Sequence, residues 1–546
     1  MAHVITQACC NDASCQTVCP VNCIHPGLDE PEFATAEMLY IDPAACIDCG
    51  ACVDECPVSA IRPDDKLDDT NHHFLGINAE YYTDHQPSRR KPVLLPLPQL
   101  PRHRNLHVAV IGSGPSAFYA AEELLSQPDV TVDMFERLPT PFGLVRAGVA
   151  PDHQSTKLVT RMFAATAARR SFRYFLNTDV GRVISLDELA ERYHAVLHAS
   201  GAAGDRRLGL PGEDLRGSFA ATRFVAWYNG HPDFANEQFD LSSETAVVVG
   251  NGNVALDVAR ILVSDPETLA STDIADQALE ALRQSKVRDV VVLGRRGIAD
   301  AAYTNGEFAA LGNIPGVDVI IDPEDLVLSP PAAAALARGS LESTIATKVN
   351  LAREYAARTR TPGNRRIVMR YLQAPAAIVG DTGVVAVDCV RNAYADDGAI
   401  VPTGRRVRID AGVLVRAVGY RGSPIAGLPF DTARGIVPND RGRVIDADGH
   451  YVAGWIKRGP SGGIGMNRTC GRETAHTILS DFAAGRLSSP RTSHHDVADL
   501  LIARGAHPID GDGWRRIDER EKASGRRLGR PRVKIVEMAE LAATAR

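Results

Sequence analysis

Two stretches of this chain pass from a short, nearly uninterrupted apolar run into a glycine-rich turn, and then into apolar positions spaced for one face of a helix. The first is HVAVIGSGPSAFYAAEEL (107 to 124), followed by the apolar run TVDMFE (131 to 136). The second is TAVVVGNGNVALDVARIL (245 to 262), followed by VRDVVVLGRRG (287 to 297). Continuous apolar runs mark strands covered on both faces, so each stretch predicts strand, turn, helix and strand of a doubly wound parallel sheet. The expected fold class is α/β, with two Rossmann-like, three-layer domains. Ahead of them, HQPSRRKPVLLPLPQLPRHRN (85 to 105) holds five prolines and few helix or strand signals, which predicts a semi-rigid extended linker. From residue 484 onward no motif is readable.

At 546 residues the chain has room for three or four domains at roughly 150 residues each. Hydrophobic residues at 45% and charged residues at 23% exclude disordered, collagen-like and membrane classes. No apolar run reaches the roughly 18 residues of a membrane helix, and MAHVITQACC lacks the basic and apolar regions of an export signal. The expectation is a cytoplasmic protein with no membrane insertion. Residues 1 to 65 carry eleven Asp/Glu against the single Arg62, a balance of −10, which leaves +3 on the rest of a chain whose net charge is −7. Opposed charge helps an acidic carrier find a basic docking face. No nucleic-acid partner is expected; the basic run at 514 to 534, nine Lys/Arg against three acids, reads as a solvated helix face.

Cysteine sharpens the picture, because nine of eleven lie between Cys9 and Cys56. Cys46, Cys49, Cys52 and Cys56, followed by Pro57, give C-x2-C-x2-C-x3-C-P. Three thiolates two residues apart wrap one cubane while the fourth reaches a second cluster. A structural zinc site uses two well-separated pairs instead, and a disulfide module would need export. Cys9, Cys10, Cys15, Cys19 and Cys23 are less regular, offering C-x5-C or C-x4-C before C-x3-C-P.

In the first α/β unit, Gly112, Gly114 and Ala117 fill the small positions of G-x-G-x-x-G/A, and Glu136 ends the next strand 24 residues after Gly112. The small residues permit the turn, the approach of a pyrophosphate to the helix N-terminus and close packing, and the carboxylate accepts from a ribose. The second unit has Gly250, Gly252 and Ala255, but its following strand ends in Gly294, Arg295, Arg296. Two guanidiniums there would hold a 2′-phosphate that an acid would repel, so this site should prefer NADP to NAD.

The cysteine-rich segments ACCNDASCQTVCPVNCIHPG and MLYIDPAACIDCGACVDECP resemble seven-iron bacterial ferredoxins, small α+β domains. That resemblance implies a 3Fe-4S cluster on Cys9, Cys15 and Cys56 and a 4Fe-4S cluster on Cys19, Cys46, Cys49 and Cys52. The first loop is shorter than usual there and Cys10 offers a fourth ligand, so a second 4Fe-4S cluster stays open. Cys23 matches no ligand position and reads as a small buried hydrophobe. Further on, PTPFGLVRAGVAPDHQSTK (139 to 157), GNGNVALDVARIL (250 to 262), GRRGIADAAYTNGEF (294 to 308) and GWIKRGPSGGIG (454 to 465) resemble the adrenodoxin-reductase family of ferredoxin-NADP reductases. The whole layout is similar to bacterial fusions of a ferredoxin with such a reductase.

The resemblance implies that Ser116, Glu136, Leu144 and Val180 hold the adenosine and diphosphate of FAD, with Trp455, Gly462, Gly463 and Ile464 beside the flavin. It places Asn251, Gly252, Asn253, Val254, Arg295, Arg296, Glu307 and Gly462 at NADP. His153, Asp257 and Glu307 would position the nicotinamide and assist electron or proton movement; as a bare residue, His153 equally suits a satisfied core position. A helix starting near Ile464 would stabilise negative charge on the reduced flavin. Gly463 and Met466 depart from the family's bulkier apolar and small polar residues.

The expected organisation is an iron-sulfur domain at 1–65, a Pro-rich linker at 66–105, an FAD domain at 106–210 and 400–483, an NADP domain at 211–399, and an extension at 484–546. The expected activity is hydride transfer from NADPH to FAD, then single-electron steps through the clusters to an external ferredoxin or other one-electron acceptor. Alternatives are an electron-supplying subunit like the small subunit of glutamate synthase, and a redox sensor without turnover.

Overall fold

A computed structural model describes residues 2–87, Pro98, Leu100 and 105–546. The first α/β unit is built on five parallel strands in the spatial order His450–Val452, Ala195–His198, Leu106–Ile111, Val130–Phe135 and Phe172–Phe175. Two short antiparallel strands, Asn439–Asp440 and Arg443–Val444, extend one edge. The second unit has six parallel strands in the order Ser218–Ala220, Val413–Arg416, Thr245–Val249, Asp289–Leu293, Arg365–Arg370 and Val317–Ile321. Val108, Ala109, Val110, Ala246, Val247 and Val248 are fully buried, as apolar runs inside helix-covered parallel sheets must be.

The boundary expected at residue 400 falls elsewhere. Ile400–Asp410 is the edge of a three-stranded antiparallel sheet with Gln373–Val379 and Ala386–Tyr394, and Val413–Arg416 pairs in parallel with Thr245–Val249. Both belong with the second unit, because Val413, Leu414 and Val415 fill the slot beside its first strand. The chain crosses back where Tyr420–Arg421 pairs with Gly204–Asp205.

The cysteine-rich module consists of the strand pairs His3–Ile5 with Ile61–Pro63 and Ile24–His25 with Tyr40–Ile41, and the short helices Ser14–Val18 and Ala51–Glu55. Part of the expected linker is structured: Phe74–Asp84 is a helix, with Phe74, Asn78 and Tyr81 buried. Asn78 explains its place, since its side chain accepts from the backbone N–H groups of Ile5 and Ile41 and donates to Ile5 O. The Pro-rich stretch lies almost wholly outside the described residues. Ile5 and Phe74 of the module share one contiguous buried cluster with Phe118 and Phe163 of the first unit.

Residues after 484 form the helices Val497–Ala503, Gly511–Arg527 and Met538–Thr544. The basic run at 514 to 534 is not merely a solvated face: Trp514, Ile517, Glu521, Arg530 and Lys534 are buried. Glu521 accepts from both terminal nitrogens of Arg146 (2.9 and 2.5 Å), from Arg532 (3.0 Å) and from Ile535 N (2.9 Å). Lys534 lies 3.0 Å from Asp273, which also pairs with Lys157 at 2.7 Å, and Arg530 donates to Thr272 O. The extension therefore straps the first unit, through Arg146, to the 272–276 segment of the second, where Lys157 of the first unit also pairs with Asp273.

Burial pushes the Glu521 carboxyl up, but Arg146 and then Arg532 overcome it and hold it below its ordinary 4.5. The strap should thus contribute fully above pH 4.5 and weaken as pH falls through the lowered folded-state value. Glu521→Ala, which leaves Arg146 uncompensated, should cost about 3–5 kcal/mol. Urea melts of the full chain should show that loss at pH 7 and a smaller difference from the unaltered protein in acid.

Candidate functional site

The first nucleotide turn joins strand Leu106–Ile111 to helix Pro115–Leu124. Gly112 has φ +101°, and a Cβ there would lie 2.5 Å from Ala199 O; Gly250, at φ +124°, meets Ala417 O in the same way in the second unit. Only glycine fits such a bend. Gly114 and Gly252 are each the residue before the helix, and a Cβ on either would meet nothing within 4 Å. That open space faces the free N–H groups of a first helical turn, the setting a phosphate requires. Glu136 accepts from Ser113 N (3.1 Å), Ser113 Oγ (2.7 Å) and Leu138 N (3.0 Å), which fixes its carboxylate at the mouth of the turn.

Against this first helix the loop Gly462, Gly463, Ile464 leads into helix Met466–Ala483, two residues beyond the start expected at Ile464. Asn467, which the sequence reading missed, organises this corner. Its side chain accepts from Ser116 Oγ (2.7 Å) and Arg458 (3.2 Å) and donates to Gly463 O (3.0 Å) and Ile464 O (3.1 Å). Trp455 donates to Ser461 O at 3.2 Å and its ring lies 5.1 Å from that of Tyr420. Leu144 is 39% exposed at the start of the short helix Leu144–Ala147, and Val180 is half-buried.

His153, Asp257 and Glu307 converge: one polar atom from each lies within 4.8 Å of the others. The organiser is Arg260, one turn after Asp257 on helix Asn253–Val263. Its buried guanidinium donates to Asp152 (2.7 and 3.1 Å), Asp257 (2.6 Å) and Glu307 (3.4 Å), while His153 Nε2 sits 3.8 Å from Glu307. Burial pushes Asp257 up against the pull of Arg260. Asp152, by contrast, is lowered, because Arg260 overcomes its burial. An acid three residues before an arginine in DVAR was the only local sign of this pairing; Asp152 and Glu307 join it through the fold.

Arg295 and Arg296 follow strand Asp289–Leu293 and are exposed. Their backbone carbonyls accept from Asn392 Nδ2 (2.9 Å) and Leu372 N (3.0 Å). Among the described residues no carboxylate pairs with either guanidinium. Asn251 stands beside them, its amide nitrogen 2.8 Å from where a Cβ of Gly294 would lie, and Asn253 accepts from Thr304 N at 2.8 Å. Val254 is half-buried on the same turn.

The nine thiols of the module are free and fall into two sets. Cys19, Cys46, Cys49 and Cys52 line one small cavity with Ile24, Ile41 and Ile47. Cys23 lines it too, buried in the core, with its sulfur 3.4 Å from that of Cys19. Cys9, Cys10, Cys15 and Cys56 lie outside that cavity, and Cys10 and Cys15 are each within electrostatic reach of Cys9 and Cys56. Burial pushes Cys9 up to about 12 and raises Cys10 and Cys15 as well. Buried thiols of this kind release protons when they ligate metal, and the donor sets suit iron-sulfur clusters.

The second thiol set meets the residue that precedes helix Met466–Ala483 directly. Cys10 O accepts from Gly465 N at 2.7 Å, and a Cβ on Gly465 would collide with Asn11 O. Three residues along the helix, Arg468 donates to Asp12 O (2.8 Å), Asp12 Oδ2 (3.3 Å) and Ser14 Oγ (2.7 Å).

Residues 39–62 match the 4Fe-4S binding domain family. A probable ferredoxin/ferredoxin–NADP reductase of Mycobacterium tuberculosis is 48% identical over 564 residues, covering 100% of this chain and 95% of that protein. The NADPH-ferredoxin reductase FprA of the same organism is 46% identical over 454 residues, covering 80% of this chain and 98% of that one. The solved structure of M. tuberculosis FprA in complex with NADPH superposes with a TM-score of 0.77 at 45% identity, over 81% of this chain and all of that one. Among the described residues no helix is long and apolar enough to cross a membrane. With the iron-sulfur module and both nucleotide folds present, and a relative of 48% identity matched along the whole of this chain, the chain belongs to the ferredoxin/ferredoxin–NADP reductase family of NADPH-dependent flavoprotein oxidoreductases.

Proposed function

We propose that this enzyme passes electrons from NADPH through FAD to its own two iron-sulfur clusters and on to an external one-electron acceptor such as a ferredoxin. The observation that carries this reading is the seat of the Cys10 backbone on Gly465, where the module touches the start of the flavin-side helix with nothing between them. When bound, FAD converts the two-electron hydride of NADPH into the single-electron steps that iron-sulfur clusters carry.

The chain's own residues position and shield. The turn at Gly112 and Gly114 and the carboxylate of Glu136 hold the adenine end of FAD, with Ser116 and Asn467 joining that turn to the loop of Gly462, Gly463 and Ile464. Arg295 and Arg296 hold the 2′-phosphate of NADPH. Arg260 keeps Asp257 and Glu307 fixed beside His153, so that polar atoms face the nicotinamide in one arrangement. For the clusters, Cys19, Cys46, Cys49 and Cys52 would ligate a 4Fe-4S centre. Cys9, Cys15 and Cys56 would ligate a three-iron centre, or a four-iron one if Cys10 joins them; the grouping of the thiols around two centres supports this division.

Anaerobic stopped-flow tests the reading directly. NADPH should bleach the flavin within the turnover time and support reduction of ferricyanide and cytochrome c. An unbleached flavin with both acceptors at background would rule the reductase out. Replacing Arg295 and Arg296 together by Ala should raise the KM for NADPH by at least about tenfold while leaving that for NADH nearly unchanged, as loss of charge-assisted phosphate contacts requires. Equal effects on the two nucleotides would contradict the phosphate assignment.

A further inference from the structure

Resting on that reading, we propose that the iron-sulfur module is also a structural part of the NADPH site: Glu37, from the module, is a positioning residue for Glu307. The contact is specific. Glu37 Oε2 accepts from the backbone N–H of Asn305 at 2.8 Å, and Asn305 opens the short helix Asn305–Leu311 that bears Glu307. Thr304, just before it, accepts from Glu307 N (3.3 Å) and donates its own N–H to Asn253 on the NADP turn. The turn Thr304–Glu307 is therefore pinned from the nucleotide side by Asn253 and from the module side by Glu37.

Neighbouring contacts hold the same segment. The ring of Phe74, from the module's last helix, lies 3.2 Å from where a Cβ of Gly306 would stand. Lys348 donates to Ala301 O at 2.9 Å and lies 3.9 Å from Glu37 Oε1. Helix Ser343–Ala357, which carries Lys348, is itself tied to the module: Ser343 N donates to Asp84 at 2.5 Å, and Thr347 bonds Glu80. Without the module, Asn305 N–H and the covered face of Gly306 lose these partners, and Glu307 loses its fixed distance to His153 and Arg260. Misplacement of a positioning group by about 1 Å can cost orders of magnitude in rate.

The test uses full-length holoprotein carrying Glu37→Ala or Glu37→Gln, with iron and flavin content checked against the unaltered chain. At saturating NADPH, Glu37→Ala should bleach the flavin about tenfold more slowly, with the KM for NADPH changed by less than about twofold because Arg295 and Arg296 are untouched. Glu37→Gln keeps an oxygen for Asn305 N–H and should recover most of the rate. Hydrogen exchange at residues 304–311 should quicken in Glu37→Ala and stay slow in Glu37→Gln. If Glu37→Ala does not accumulate, Phe74→Leu should show the same selective loss of rate and the same local exchange. Bleaching and exchange like the unaltered protein in the variant would overturn the proposal, whereas failure of NADPH to bleach the unaltered protein would overturn the reductase reading instead.

Discussion

The architecture turns on the absence of a side chain at residue 465. Asn11 O stands where a Cβ of Gly465 would be, and Cys10 O takes the Gly465 N–H, so the loop carrying two thiols of the second set lies against the start of helix Met466–Ala483. Arg468 locks that approach from the next turn through Asp12 and Ser14. A carrier that swung on a flexible tether would have to find this position at each turnover. Here the apolar core runs unbroken from the module into the first α/β unit, and the position is part of the fold.

Two further braces keep the geometry from opening. The module reaches past the first unit to the second through Glu37, Phe74 and Asp84. On another face, the C-terminal strap joins Arg146 of the first unit to Asp273 of the second through Glu521 and Lys534. The strap uses buried charges with several partners each, the arrangement in which loss of one partner costs most, whereas Glu37 is half-buried and Asp84 exposed. The electrostatics also differ from a simple picture of opposed halves. Of the module's eleven acids within residues 1 to 65, Asp12 and Glu37 meet basic or N–H groups of the reductase units, while Asp48, Asp54 and Glu55 stay exposed around the exposed Cys49.

Much of this was legible in the sequence because it depends on short-range pattern. Apolar runs such as TAVVV and DVVVL need cover on both faces, a turn built on Gly112 or Gly250 needs their conformational freedom, and closely spaced thiols need a common centre. What was not legible depends on partners distant in the chain. The four residues Val413–Arg416 are too short to show which sheet they join. Helix Phe74–Asp84 has a weak amphipathic pattern and is placed by Asn78 bonding strands more than thirty residues away. Arg260 looks like an ordinary helix-face arginine until the fold brings Asp152 and Glu307 to it, and Lys534 looks like part of a solvated basic run until Asp273 is seen beneath it.

The claim that the module is seated, not tethered, is tested most directly by freeze-quench electron paramagnetic resonance after anaerobic mixing with NADPH, comparing the unaltered holoprotein with Arg468→Gln. If the seat sets the path, Arg468→Gln should bleach its flavin at the normal rate while its reduced-cluster signals grow in markedly later. Cluster signals that appear on the same schedule in both proteins would contradict it.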